Sequence, residues 1–341
     1  MRRILVLRSD SGLGGLPAII ASVATENLMS RLENCSHIID TRIDVATIIV
    51  MRRLSTDKRT AILTALTEGC SINSTARMTG CAKLTVLRLL NDAGIVCRQF
   101  HDERVRDLLC RKIQVDEIWS FVGCKEKTKK HGAQGDGDCW TWIGLDANSK
   151  LVVSYLAGER NDETARVFVA DIASRLAVRV QITSDGFPSY PGAIAAAFEP
   201  HTVDYAQLVK IYAVEQQSGP VRYSPPKCTG CKSRRVFGNP RAKDINTSYV
   251  ERQNRTLRMA NRRFTRLTDA FSKKWLNHEH AISLHYFAYN FCCVNRAHGT
   301  TPAVAAGIAN APMKIADLVA MIESDEKQNR GHARINREDR S

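Results

Sequence analysis

The sequence predicts an α/β protein, in which a mixed sheet flanked by helices follows an all-α module. Three apolar, strand-like runs succeed one another in the middle of the 341-residue chain. A helical segment and a further buried strand come next, and three short helical segments precede them all. Three strands, a helix and another strand describe a ribonuclease H-like core, and the preceding helices describe a helix-turn-helix module.

The composition favours a globular protein with a polyanionic partner. Lys and Arg number 49 against 35 for Asp and Glu, so the formal charge is +14 and the pI is near 9.4. A hydrophobic fraction of 44% is sufficient for a sizeable core. The charge alone does not distinguish a nucleic-acid-binding enzyme from a ribosomal or membrane-surface protein.

Cysteine spacing and hydropathy predict an intracellular location. The 11 cysteines show no framework spacing, so we expect a reducing cytoplasm, where a DNA-binding protein would associate with the nucleoid. No run reaches transmembrane length, and residues 1–10 are too charged for a signal peptide. Cys228 and Cys231 have the spacing of half a zinc site, but without a second pair we interpret them as part of a turn.

The chain divides into five predicted segments. No sustained period is present before Met51, where a helical pattern begins, so Met51 is a hypothesis for the start of the native product. The segments are an uncertain extension 1–50, a helix-turn-helix domain 51–97, a linker 98–112, a ribonuclease H-like domain 113–310, and a C-terminal helix with charged tail 311–341.

The helix-turn-helix prediction depends on three residues. Helices are predicted over about 56–68, 72–79 and 83–93, with Gly94 closing the third. Ala76 is the small residue where two helices meet, Gly80 suits the tight turn, and Val86 faces back from the third helix. The alternative is an ordinary three-helix packing unit.

If the third helix enters a major groove, three of its side chains are candidate DNA contacts. They are Lys83, Thr85 and Arg88.

The remaining elements follow from hydrophobic periodicity and turn residues. The predicted strands are 113–122, 140–146, 151–156 and 178–183, and the predicted helices are 161–176, 190–198 and an amphipathic 275–293. A basic insertion is expected at 125–138, a polar insertion loop at 216–242, and a disordered tail at 323–341.

Three carboxylates in separate segments indicate metal-dependent phosphoryl transfer. Asp116 interrupts an apolar strand, Asp185 follows a buried strand, and Glu251 opens a basic helix. Two-metal chemistry needs hard oxygen ligands that converge on ions roughly 3.5–4 Å apart. Each residue also has a simpler interpretation, as a solvent-facing acid, a turn residue and the third helical residue of a capping box, respectively.

The helix that begins near Glu251 is predicted to bind phosphate. Between Asp244 and Asp269, Glu251 is the only acid among six arginines, whereas a solvated helix normally interleaves its charges. Arg255 and Arg258 share the face of Glu251. The candidate DNA contacts on this segment are Arg252, Arg255 and Arg262.

In this combination of motifs the chain resembles the DDE transposases of the insertion sequence one family. The resemblance spans about residues 52–310. The matching stretches are Val115–Val122, Gly137–Trp142, Thr183–Gly186, Ser248–Asn254, Arg263–Thr268, Tyr289–Phe291, His298 and Thr301–Ala303.

The resemblance implies that Asp116, Asp185 and Glu251 bind two Mg²⁺ or Mn²⁺ ions and that Arg258 is the basic residue two turns after the glutamate. It further implies double-stranded DNA as partner, with recognition of terminal inverted repeats, strand cleavage and strand joining by a bacterial transposase, and a homo-oligomer that pairs two ends. Residues 1–50 have no counterpart in the family pattern, and the zinc-binding segment of some relatives is absent.

Two other functions remain open from the sequence. A ribonuclease H-like nuclease would cut without joining, and a repressor derived from a transposase would bind DNA without catalysis. The three acidic positions are intact, which favours the enzyme.

Overall fold

The computed structural model describes residues 54–129, 137–212 and 228–338, with side chains as far as residue 328. The predicted extension 1–50 and the proposed start at Met51 lie outside the described residues. So do parts of the two predicted insertions, at 130–136 and 213–227.

Three helices precede the sheet, and the elements from β1 to β4 follow in the order expected from the sequence. The strands are β1 Lys112–Val122, β2 Gly137–Asp146, β3 Val152–Gly158, β4 Val180–Ser184, β5 Val203–Tyr212 and β6 Cys228–Phe237. The helices are α1 Thr56–Thr67, α2 Ile72–Thr79, α3 Lys83–Arg104, α4 Asp162–Arg175, α5 Ser189–Ala197, α6 Ser248–Ala260, α7 Trp275–Phe287, α8 Pro302–Ala305 and α9 Ile315–Glu338. None of those helices has the length and hydrophobicity needed to cross a bilayer.

The six strands form one mixed sheet in the order β3-β2-β1-β4-β5-β6. The first three strands pair antiparallel, β4 pairs parallel with both β1 and β5, and β6 pairs antiparallel with β5. Because α4 connects β3 to β4 and α5 connects β4 to β5, the first five strands have the ribonuclease H-like topology. The predicted fold class is confirmed.

Helices cover both faces of the sheet. On one face, Trp142 of β2 packs with Phe168 of α4 and Tyr190 of α5. On the other, Ile143 of the same strand belongs to a second buried cluster with Val250 of α6. Since successive side chains of a strand point to opposite faces, β1 presents alternate residues to these two cores.

Strands β5 and β6 were not predicted. The interval 216–242 was expected to be a loop, but the part of it that the structure describes contains β6, and Cys228 and Cys231 lie in that strand rather than in a turn. As the outermost strand, β6 leaves most of its side chains exposed, so it lacks the apolar alternation that identifies a half-buried strand.

The three helices before the sheet have the predicted turn geometry. Ala76 and Val86 are buried, and Gly80 ends α2 with a φ of +64°. The prediction that Gly94 closes the third helix was wrong, because α3 continues to Arg104 and thus through the first part of the predicted linker 98–112.

Gly94 marks a helix crossing instead of a helix end. A Cβ atom added at Gly94 would lie 2.3 Å from the Cβ of His280, so the absence of a side chain lets α3 and α7 pack together. Beyond this crossing, Cys97 and His101 remain buried and the helix continues along the core.

The C-terminal region is more ordered than the charged sequence 323–341 suggested. Helix α9 extends to Glu338 and buries Leu318 and Ile322. Its acidic side chains contact α1, where Glu326 pairs with Arg59 at 2.7 Å. As far as residue 328, a charged helix face with a partner is present where a disordered tail was predicted.

The predicted helix 275–293 is shorter and more buried than expected. The α-helical part, α7, ends at Phe287, and a π-helical turn, Ala288–Cys292, follows it. Nearly every residue from His278 onward is buried, so α7 is a central helix and not an amphipathic surface helix.

Candidate metal centre

The candidate site lies where β1 and β4 stop pairing. Their parallel ladder runs only from Lys112↔Gln181 to Gln114↔Thr183, although β1 continues to Val122. Strand β4 ends at Ser184, one residue before Asp185. The two strands therefore border a gap at the carboxyl end of β4, where polar side chains can meet without interrupting a ladder.

Three carboxylates meet at this gap. Asp116, Glu117 and Asp185 each provide an oxygen, and these oxygens lie within 4.8 Å of one another. Asp116 faces α6, whereas Glu117 faces α5, as the strand pleat requires. Asp116 and Asp185 also line an open cavity of about 470 Å³.

Crowding and burial oppose the ionisation of this cluster. Burial, reinforced by the charges of Glu117 and Asp185, raises the pKa of Asp116 to about 8. Burial also raises the pKa of Glu117 to about 7, although the hydroxyl of Tyr190 and the guanidinium of Arg160 act in the opposite direction. A divalent cation would stabilise the charged forms of the same groups.

The donor set fits a hard divalent cation such as Mg²⁺ or Mn²⁺. All of its members are carboxylates from a β-strand and the loop after another, and no thiol or imidazole belongs to this cluster. Asp116 and Asp185 are half-buried and face the cavity, so both are available as ligands. The number and identity of the ions remain predictions.

Glu251 lines the same cavity but is outside the cluster of three carboxylates. Its Oε2 forms an ion pair of 2.6 Å with Nζ of Lys210, and its Oε1 accepts a hydrogen bond from the hydroxyl of Thr247. The structure thus brings Asp116 and Asp185 together. Glu251, the third member of the predicted triad, lies elsewhere on the lining of the cavity and is paired with Lys210.

Helix α6 is capped by a side chain from the sheet. Oε1 of Gln114, on β1, accepts hydrogen bonds from the backbone N–H groups of Tyr249 at 2.9 Å and Val250 at 3.1 Å. The capping box proposed for residues 248–251 is wrong, because Thr247 precedes the helix and provides no side-chain cap. Gln114 therefore positions the helix that carries Glu251.

A second contact links α6 to the acidic cluster. Nδ2 of Asn254 donates a hydrogen bond of 2.8 Å to Oδ2 of Asp116. Asn254 lies three residues after Glu251, on the side of α6 that faces β1. Asp116 is consequently oriented by the helix that presents the third acid.

Comparison with known families agrees with this arrangement. Residues 108–216 match the family model described as IS1 transposase. The match confirms the resemblance inferred from the motifs. The IS1-like segment contains Asp116, Glu117 and Asp185, whereas Glu251 and the N-terminal helices lie outside it. No curated protein matches the chain.

Solved structures of transposases show weak similarity. The paired-end complex of Mos1 transposase with the left transposon end is 12% identical, with a TM-score of 0.21 over 54% of this chain and 66% of that one. The piggyBac transposase synaptic complex with hairpin DNA is 11% identical, with a TM-score of 0.36 over 90% of this chain and 77% of that one. This chain spans slightly less than two thirds of the Mos1 chain. The fold assignment rests on the strand order.

Arg258 does not line the cavity that contains Asp116 and Asp185. Its guanidinium is half-buried and lies 3.4 Å from the carbonyl oxygen of Phe264 and 3.5 Å from that of Trp119. Burial, with a contribution from Arg266, lowers its pKa to about 10. The predicted catalytic role of Arg258 remains a prediction.

The other basic residues predicted to contact DNA are mostly exposed. Lys83 and Arg88 project from the first half of α3, and Thr85 beside them is half-buried. On and after α6 the exposed members are Arg252, Arg255 and Arg262. Lys83 and Arg262 line one cleft of about 450 Å³, so the two predicted basic surfaces meet there.

The sequence analysis did not identify four residues at the site. Glu117, the neighbour of Asp116, was not assigned a role from the sequence, and its side chain is only 1% exposed. Arg160 and Lys210 reach the site from other parts of the chain, and Gln114, two residues before Asp116, contacts the start of α6. The sequence did contain a sign for Glu117, since it is an acid within a strand that is apolar on both faces. The other three residues can be identified only from the fold.

We predict that Gln114→Met weakens the attachment of α6. The substitution keeps the side-chain length but leaves two N–H groups, of which that of Val250 is buried, without their acceptor, which should lower the free energy of unfolding by about 1–3 kcal/mol. Urea unfolding of the full chain measures this change. The exposed Gln99→Met provides the control. Equal stability of the two variants would contradict the capping role.

We also predict that the metal-free protein loses stability as pH rises. An unfolded Asp116 releases its proton near pH 4, whereas the folded residue retains it up to about pH 8, so the folded state is progressively disfavoured between these values. Asp116→Asn cannot ionise. In EDTA its melting temperature should therefore exceed that of the parent at pH 8, and the difference should vanish toward about pH 4.

The exposed Glu199→Gln is the control for this pH series. A difference between Asp116→Asn and the parent that does not change with pH would contradict the raised pKa.

Proposed function

We propose that the protein is the transposase of a bacterial insertion sequence, which cuts DNA at the element ends and joins them to a target. One observation carries the proposal. The acidic cluster at the β1–β4 gap lies within the segment that matches the IS1 transposase model, and the strand order around it is ribonuclease H-like. Glu251 on α6 lines the same cavity.

In the proposed reaction, Asp116, Asp185 and Glu251 hold the divalent cations. When bound, such ions activate the attacking oxygen and stabilise the leaving one in an in-line displacement at phosphorus. Asn254 orients Asp116, and the backbone N–H of Phe187 orients Asp185 by a hydrogen bond of 2.9 Å. Glu251 must leave Lys210 to join the other two acids.

Charge distribution supports DNA as the substrate. Arg252, Arg255 and Arg262 are exposed on and just after α6, beyond the acidic cavity, and no acid on α6 other than Glu251 offsets them. Arginine side chains of this kind bind phosphate oxygens and release counter-ions. We assign them to the DNA backbone near the scissile bond.

The N-terminal helices are proposed to recognise the terminal inverted repeats. Helices α2 and α3 meet at Gly80 in the geometry of a helix-turn-helix, and α3 presents Lys83 and Arg88 to solvent. Thr85 is the third candidate contact. Pairing of two ends further implies a homo-oligomer, whose stoichiometry we do not assign.

The proposal is tested by cleavage and joining of DNA that carries the flanking element ends, with Mg²⁺ present. Glu251→Gln removes the charge that a metal ligand requires, with almost no change in shape, so both activities should fall by at least about 100-fold. Binding of the same DNA should persist. Glu163→Gln, an exposed acid in the first turn of α4, is the matched control.

The other outcomes separate the alternatives. Activity of Glu251→Gln equal to that of the parent would remove this residue from the metal site. A parent protein that cuts without joining would be a nuclease, and one that binds the ends without cutting would be a repressor.

A further inference from the structure

Glu117, the member of the acidic cluster that is not in the predicted triad, is the centre of a buried network. Glu117 of β1 accepts a hydrogen bond from the hydroxyl of Tyr190, on α5, at Oε1. Its Oε2 accepts one of 3.2 Å from Nε of Arg160, in the loop between β3 and α4. The three side chains come from three elements, and Arg160 is the one that lines the cavity.

Glu117 is better suited to hold Arg160 than to bind a metal ion. Its side chain is 1% exposed and both carboxylate oxygens already have donors. A carboxylate at this depth is costly unless it is paired, and the pairing fixes the orientation of its partners. Tyr190 is itself fully buried, so it cannot move away from Glu117 without disturbing the core.

Arg160 lines the cavity, and its guanidinium lies against two aromatic rings. The guanidinium carbon lies 4.1 Å from the centroid of the Phe187 ring and 5.0 Å from that of Trp140. Its Nη2 is 3.9 Å from Oδ2 of Asp185, which is beyond hydrogen-bond distance. Because Nε donates to Glu117 and Arg160 lines the cavity, the N–H groups of the two terminal nitrogens are the donors that a ligand in the cavity would use.

We propose that Arg160 binds a phosphate of the DNA strand that enters the acidic cavity. Arg160 and Lys210 line the same cavity as the catalytic acids, and Arg160 is attached to the sheet by Glu117 rather than to the basic helix α6. A planar guanidinium that is anchored at one edge and stacked on an aromatic ring presents a fork that matches phosphate oxygens.

The contact with Asp185 is compatible with this role. Because it is longer than a hydrogen bond, a cation bound by Asp185 can displace it while the shorter bond to Glu117 persists. Arg160 would then lie next to the metal-binding acids with its charge available to the phosphate. This inference rests on the proposed function, because it assigns a further substrate contact to the same site.

The test compares DNA binding and cleavage by full-length variants. The probe is a fluorescent duplex that carries the flanking element ends. Its affinity is measured over a series of salt concentrations with Ca²⁺, a hard cation that takes oxygen ligands. Arg160→Gln should reduce the slope of log affinity against log salt by about 0.9, the value for one phosphate contact. With Mg²⁺, cleavage should fall by about 100-fold.

Three further variants define the role of the network. Arg166→Gln removes one exposed charge from α4 and should leave both slope and cleavage unchanged. Arg160→Lys keeps the charge without the fork, so the slope should be retained while cleavage falls. Tyr190→Phe should likewise lower cleavage without changing the slope, because it loosens the anchor and leaves the charge.

Equal slopes for Arg160→Gln and Arg166→Gln, with an active parent, would overturn the inference and reduce Arg160 to a counter-charge for the acids. Unchanged cleavage by Tyr190→Phe would overturn the anchoring role of Glu117 and Tyr190. A parent that never cleaves would refute the proposed function instead, and the salt slope would still decide whether Arg160 contacts phosphate.

Discussion

The attachment of α6 to β1 through Gln114 is the interaction on which the candidate site depends. Gln114 is buried, accepts hydrogen bonds from two N–H groups at the start of α6, and donates one of 2.6 Å to Asn246 just before the helix. Asp116 follows two residues later on the same face of β1. One side chain thus fixes the first acid relative to the helix that bears Glu251.

The electrostatics of the site follow from this geometry. Burial raises the pKa of Asp116, and the neighbouring carboxylates that the sheet holds beside it reinforce this effect. The protein supplies its own cations at the edge of the gap, Arg160 beside Asp185 and Lys210 on Glu251.

Strands β1 to β4 were predicted, and Asp116 and Asp185 were chosen as candidates, because both follow from local sequence patterns. An acid inside an apolar run, such as Asp116, and an acid directly after a buried strand, such as Asp185, are informative without a structure. Edge strand β6 was not predictable, because a strand exposed to solvent has no apolar alternation. Gly94 was misinterpreted because a glycine at a helix crossing and a glycine at a helix end look alike in sequence.

The contacts that complete the site depend on tertiary structure. Gln114 caps a helix that begins more than a hundred residues later, and Tyr190 reaches Glu117 across the sheet. No periodicity or spacing records such pairings. The six arginines around α6 indicated a phosphate surface. The sequence could not show that Arg258 differs from the exposed arginines near it, because its half-buried guanidinium contacts backbone carbonyl oxygens.

The most direct test of the metal centre is a crystal structure with Mn²⁺, whose anomalous scattering locates the ion. The account predicts manganese bound by Asp116 and Asp185 in the gap between β1 and β4, with Glu251 released from Lys210 and turned toward the ion. Manganese absent from this gap at a concentration that supports cleavage, or bound only by other residues, would contradict it.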